Sequence, residues 1–267
     1  MAPGNTVRYC RQMPRNAASP VARATADPHG GAKSAFVRQV FDSVADRYDL
    51  MNDLMSGGIH RLWKAAMVDW LNPQPDMTIL DMAGGTGDIA RRIAERRRRG
   101  ARPRAPLYIC DINERMLRAG RGRSDLDAFA EDLSWLVGDA EALPLPDRHL
   151  DAYTIAFGIR NVTDIDLALA EAFRALKRGG RFLCLEFSHV AVPGLDRLYH
   201  AYSTKVLPEL GAWVVGDRDA YTYLVDSIRR FPDQATFKDM IAAAGFEQVK
   251  VRNLSGGIAA LHSAWRL

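Results

Sequence analysis

The 267-residue chain is poor in cysteine, and its three (Cys10, Cys110 and Cys184) are widely spaced, odd in number and form no CxxC pair. That excludes a disulfide scaffold and favours a reducing compartment. No apolar run approaches the ~18 residues that a membrane-spanning helix needs. There is no Gly-x-Ser-x-Gly elbow and no phosphate-binding GxxxxGK loop. The six histidines show no ligand spacing, so no metal site is expected. What remains is an ordinary globular composition, 48% hydrophobic and 25% charged.

The formal net charge of +4 invites a nucleic-acid reading until it is located along the chain. Residues 1–33 carry Arg8, Arg11, Arg15, Arg23 and Lys33 against Asp27, a net of +4. Residues 91–104 carry eight arginines against Glu95, a net of +7. Taking +4 and +7 from the total of +4 leaves −7 for everything else. No nucleic-acid partner is therefore expected. Residues 1–33 read as a disordered tail, acid-free before Asp27. They suit the untidy start of a bacterial protein, placing the chain in the bacterial cytoplasm. The alternative is a transit peptide, which would place it in the mitochondrial matrix.

Order is expected over 34–267 as a single domain. Val37, Val40, Phe41, Val44, Ala45 and Tyr48 recur at helical spacing, and Leu62, Trp63, Ala66, Met67, Trp70 and Leu71 predict a second helix before Pro73. Together, residues 34–72 are expected to form a helical lid. Strands are predicted over 77–82, 106–111, 135–139, 150–158 and 179–188. Helices are predicted from about 88 into the arginine run, over 113–121 and over 163–177. This alternation implies an α/β fold, a mostly parallel sheet with helices on both faces. A helix over 233–244, with Asp233 as N-cap and Gly245 as stop, precedes a C-terminal hairpin turning at Ser255-Gly256.

The segment 79–90, ILDMAGGTGDIA, joins a strand to a helix through Gly84, Gly85 and Gly87. Glycines there let backbone approach a ligand at the carboxyl end of a strand. The loop alone does not choose between NAD and another adenosyl ligand. Asp111 ends the second strand, 24 residues after Gly87, where a carboxylate can hold both ribose hydroxyls. Asp139 ends the third, a neighbour for an adenine edge.

Asp81-x-Ala83-Gly84-Gly85-Thr86-Gly87 resembles the cofactor motif of class I S-adenosylmethionine-dependent methyltransferases. Two further stretches resemble signatures of the ubiquinone/menaquinone biosynthesis C-methyltransferases. One is Tyr48-Asp49-Leu50-Met51-Asn52 with Met55-Ser56, His60 and Trp63. The other is Arg174 to Gly180, ending in Leu185-Glu186-Phe187-Ser188, with departures at Ala175 and Arg178. The resemblance covers about residues 35–267. It implies a Rossmann-like fold with a seven-stranded sheet and methyl transfer from S-adenosylmethionine to a ring carbon of a polyprenylated benzoquinol, or a demethylmenaquinol. Other readings are a scaffold of a quinone-biosynthesis complex, a methyltransferase on another small aromatic acceptor, and an NAD-dependent oxidoreductase. Carried over residue by residue, it implies cofactor contacts at Thr86, Asp111, Asp139 and Ala140, beside the loop residues Asp81, Gly84, Gly85 and Gly87.

Such a transfer asks the protein to align methyl and carbon, favour a phenolate and remove a ring proton. Arg160 and Asn161, after the strand 150–158, are the candidates for the phenolate. Tyr48 is a candidate for orienting the ring and His60 for proton handling. Tyr221, Tyr223, Glu186 and Ser188 are further candidates for the pocket wall or its support. The polyprenyl tail implies an anionic membrane surface as partner and a peripheral position on the inner membrane. Contact is expected through Arg96–Arg99 and helices 59–71 and 195–210. A homodimer, or a place in a quinone-biosynthesis complex, is left open.

Overall fold

A computed structural model of the chain describes residue 53 and residues 56–98, 105–190 and 225–267. Tyr48, Tyr221, Tyr223, Arg99, the predicted helices over 34–50 and 195–210, and the tail 1–33 lie outside the described residues.

The predicted alternation forms one seven-stranded sheet. After helix α1 (His60–Leu71) come β1 (Ile79–Met82), α2 (Asp88–Arg97), β2 (Leu107–Asp111), α3 (Glu114–Arg121), β3 (Leu133–Val137) and β4 (Leu150–Ala156). Then follow α4 (Ile165–Ala175), β5 (Leu176–Phe187), α5 (Gln234–Ala243), β6 (Glu247–Leu254) and β7 (Ala259–Arg266). The strand order is β3-β2-β1-β4-β5-β7-β6. β1 to β5 are parallel, and β7 runs antiparallel to both β5 and β6.

Strand alternation divides the core into two layers. Ile79 and Ile109 face a layer filled by Trp63, Met67, Ile89 and Ile93 of α1 and α2. Leu80, Met82 and Cys110 face the other, filled by Leu169 of α4 and by Phe237 and Ile241 of α5. β1 is buried at all four positions, which is why its sequence is apolar except for Asp81.

Three boundaries differ from the sequence reading. The predicted helix over 163–177 ends at Ala175, and Leu176 already pairs with Leu150, so β5 starts three residues earlier than predicted. A register shift between Leu150 and Ala152 accommodates this early pairing. β3 ends at Val137, leaving Gly138 and Asp139 in the loop beyond it. A β-carbon on Gly138 would lie 2.8 Å from both Cys110 Sγ and Pro144 Cδ. β4 stops at Ala156 because Phe157 turns left-handed, at φ 56°. The cap at Asp233 matches, its carboxylate accepting from Thr236 N–H at 2.8 Å.

Helix α1 packs into the core on one face. Trp63, Met67, Val68 and Leu71 are buried in the first core layer. Trp63 donates its indole N–H to Ser255 Oγ at 3.0 Å and packs edge-on to Phe187. Arg181 Nη1 donates to the Trp70 carbonyl at the helix end.

Candidate active site

The sheet order reverses between β1 and β4, and the loops leaving those strands part there. Such a switch point at the carboxyl ends of parallel strands is where open α/β sheets hold ligands. A cleft of about 1170 Å³, mouth included, opens at this place. The two loops touch at its floor, where a β-carbon on Gly158 would come 2.4 Å from Ala83 Cβ.

The glycine loop crosses the cleft closely. A β-carbon on Gly84 would meet Ile109 Cγ2 at 2.7 Å and the Asp81 carbonyl at 3.0 Å, so any larger residue pushes the loop into the ligand space. Gly87 serves differently from expectation. It is the N-cap of α2 at φ 82° and backs onto Trp135, Ile109 and Leu126, outside the cleft lining.

The other expected cofactor residues line the cleft together: Asp81, Gly84, Gly85, Thr86, Asp111, Asp139 and Ala140. Asp81 is 1% exposed. Its Oδ1 accepts from Thr154 Oγ1 at 3.0 Å, while Oδ2 is buried without a partner. Burial pushes its carboxyl up to about 7, against the Thr154 hydrogen bond. Asp111 accepts from Gly85 N–H at 2.9 Å and Asn113 N–H at 2.8 Å. Burial raises it to about 6 despite those donors. Asp139 Oδ1 accepts from Glu141 N–H at 3.0 Å, tightening the turn after β3.

The candidates for catalysis separate. Asn161 lines the cleft beside Phe157 and Val162. Arg160 does not. Its guanidinium is turned into the protein, with Nη1 2.6 Å from Glu186 Oε1 and 2.7 Å from the Phe157 carbonyl, and Nε donating to Ser227 Oγ at 3.3 Å. Glu186 is therefore a support. His60 is also outside the lining. It sits 2% exposed at the start of α1, with Nδ1 3.0 Å from Ser56 Oγ. Burial, then the charge of Lys64, lowers it to about 4, so at neutral pH it is uncharged and not poised near its own ionisation.

Two cleft residues escaped the sequence reading. Lys64 of α1 and Asp88, the first residue of α2, line the cleft and form an ion pair with Nζ 3.0 Å from Oδ2. Lys64 follows the signature residue Trp63 directly and Asp88 follows Gly87. Adjacency was the signal, but no spacing links positions 24 apart.

A buried carboxylate oxygen without a partner, in a cleft lined by five acids, suits a ligand that carries positive charge. The glycine loop and Asp111 suit an adenosyl group. The model of the ubiE/COQ5 methyltransferase family matches residues 29–266. The chain belongs to that family. The ubiquinone/menaquinone biosynthesis C-methyltransferase of Caulobacter vibrioides is 56% identical over 246 residues, covering 90% of this chain and 96% of that protein. Its counterpart from Dinoroseobacter shibae is 56% identical over 235 residues, covering 88% and 92%. Among solved structures, an S-adenosylmethionine-dependent methyltransferase of Thermotoga maritima superposes with TM-score 0.61 at 21% identity, covering 86% of this chain and 99% of that one. Phosphoethanolamine N-methyltransferase 2 of Haemonchus contortus, solved with S-adenosylmethionine, gives TM-score 0.54 at 15% identity over 76% and 52%. The fold is that of class I methyltransferases, and the chain is an S-adenosylmethionine-dependent methyltransferase. This sets aside the nicotinamide reading of the glycine loop.

Proposed function

We propose that the chain methylates a ring carbon of a polyprenylated benzoquinol, with demethylmenaquinol as a second acceptor, in ubiquinone and menaquinone biosynthesis. The observation that carries this reading is the family match over residues 29–266, which contains every described residue lining the cleft.

Bound S-adenosylmethionine supplies a methyl group already activated on a sulfonium. The chain's residues hold it and shape the acceptor. Asp81 Oδ2, buried without a partner, would receive the positive charge of the methionyl end, and Asp111 keeps lone pairs beyond those used by Gly85 and Asn113 that would take the ribose hydroxyls. Thr86 and the glycine backbone would close around the cofactor, and Asp139 and Ala140, which line the same cleft, would meet the adenine. On the acceptor, the phenolic proton leaves, a carbon–carbon bond forms as the sulfur–methyl bond breaks with its pair on sulfur, and the ring proton departs to restore aromaticity as the oxygen regains a proton, for a net release of one. Asn161 and Phe157 line the space offered to that ring.

A demethylated quinol incubated with S-adenosylmethionine under reducing conditions gains one methyl on the ring by mass spectrometry. Cofactor binding without such a product favours another small acceptor or a scaffold role. A substrate with a polyprenyl tail also brings the enzyme to a lipid surface. Ile59 and Leu62, 42% and 70% exposed beside Arg61, are the apolar contact offered at the start of α1. Leu62→Asp then lowers co-sedimentation with anionic vesicles, and unchanged sedimentation removes that contact.

A further inference from the structure

A phenolic acceptor becomes a carbon nucleophile as its oxygen loses a proton, so the enzyme needs a positive group in the cleft. Arg160 is outside the cleft lining: Glu186 and the Phe157 carbonyl take its Nη1, Ser227 takes its Nε, and Nη2 is buried without a partner. Among the described residues that line the cleft, Lys64 is the single cation, set among Asp81, Asp88, Asp111, Asp139 and Glu141.

Three features suit Lys64 to an anionic oxygen. Its side chain is 5% exposed, so its charge acts through little water. Asp88 takes one of the three ammonium donors, leaving two for a ligand. Asp88 does not cancel the charge alone with Lys64, because its Oδ1 also meets Arg91 at 3.4 Å and Arg92 at 3.3 Å. One carboxylate shared among three cations is not neutralised by Lys64 alone, and it leaves the remaining ammonium donors directed by geometry rather than by a second acid on Lys64. The backbone that presents Lys64 is fixed, since the neighbouring Trp63 is held by Ser255 and by the rings of Phe157 and Phe187. Donors held still before the charge develops are what oxyanion stabilisation requires.

We propose that Lys64 is a catalytic residue, the donor that stabilises the oxyanion of the phenolic acceptor, held in place by Asp88. The inference rests on the methyl-transfer reading above. The test uses the full chain with Lys64→Met and the double variant Lys64→Met/Asp88→Asn, which removes both members of the buried pair. Lys64→Met lowers kcat about 100-fold or more, the cost of removing one oxyanion donor. Its S-adenosylmethionine Kd stays within about threefold of wild type, since the lost interaction belongs to the acceptor. The double variant recovers the melting temperature but not kcat. Recovery of turnover in the double variant overturns the proposal, because the pair is then only structural. A cofactor Kd that weakens in step with kcat also overturns it, because Lys64 then holds the cofactor's own carboxylate.

A second readout does not depend on turnover. Nitrohydroquinone bound to the protein with S-adenosylhomocysteine absorbs more strongly as its phenolate. At a fixed pH near the probe's own ionisation, wild type raises the phenolate fraction and Lys64→Met removes that rise. An equal fraction in both proteins overturns the role of Lys64 even where the quinol assay works. A wild-type protein that ionises the probe but methylates no quinol overturns the substrate reading instead.

Discussion

Asp81 shows what a single buried carboxylate costs and gives. Burial holds its carboxyl near 7 against an ordinary 3.8, so the native state binds the proton more tightly than the unfolded chain. Between those values the folded state carries the extra proton, and stability falls as pH rises from about 4 to about 7, by an amount on the order of a few kcal/mol. Asn keeps an oxygen to accept from Thr154 and removes the charge. Asp81→Asn is therefore expected to melt higher than wild type, by a margin that widens across that pH window and is constant above it. The same variant loses cofactor affinity. In wild type, a positive ligand binds the ionised carboxylate, so affinity falls as pH drops from 7.5 toward 5.5 (an assay range of about two units around the Asp81 value). Calorimetry at pH 6.5, about half a unit below it, in buffers of different ionisation enthalpy reads out proton release on binding. A pH-independent affinity in that range, or no proton release, removes Asp81 as the site of positive charge. Arg97 makes a different residue-scale point. It stands in a run of four arginines, yet it is 1% exposed and donates to the carbonyls of Gln74, Met77 and Ala105. Arg97→Met leaves three carbonyls without that donor and is expected to cost about 3 kcal/mol or more in urea unfolding, at about 1 kcal/mol or more per unmade bond.

Among the elements, α1 carries a contact that its sequence pattern does not name. Its amphipathic pattern was legible, and the helix occurs at the predicted place. Its role was not, because the pattern gives an apolar face without saying what that face meets. Trp63 meets Phe157 and Phe187, more than ninety residues away in the chain, and Ser255, further still. A lid would tolerate truncation with loss of activity alone. A helix packed into the core does not: Trp63→Ala is expected to destabilise the whole protein by about 3–5 kcal/mol. Loss of turnover with an unchanged denaturation midpoint would return α1 to the role of a lid. The strands were legible because β1, β2 and β4 are short, apolar and bounded by turns. The start of β5 was not, because Leu176 pairs with Leu150 through a register shift that only the neighbouring strand imposes. Arg160 was misplaced for a related reason. Its position after β4 was right, but its partner Glu186 lies on β5, so the direction of its side chain is decided across the sheet.

Over the whole molecule, the charge count separates the acids of the cleft from the basic segments, but it does not say where the basic side chains go. Arg96 pairs with Asp69, Arg97 is buried, and Arg98 lies over Phe129 with its guanidinium 4.2 Å from the ring. The arginine run thus ties α2 to its surroundings, with Arg97 buried and Arg96 and Arg98 still exposed. The acids converge instead on one cleft, and the molecule's response to ligands follows from that. A positive adenosyl ligand that binds only the folded state stabilises it by about 2.7 kcal/mol at a hundredfold excess over Kd. For a chain of this size each kcal/mol raises the melting temperature by about 2–4 °C, so S-adenosylmethionine is expected to raise it by about 5–10 °C. NAD, with a net negative charge, meets five acids and one lysine and is expected to raise it by less than about 1 °C. S-adenosylhomocysteine keeps the adenosine but loses the sulfonium, so its shift is expected to lie between these two. An equal shift from NAD and S-adenosylmethionine in a scanning melt would mean that the adenosine alone is recognised and that the acids do not select for charge.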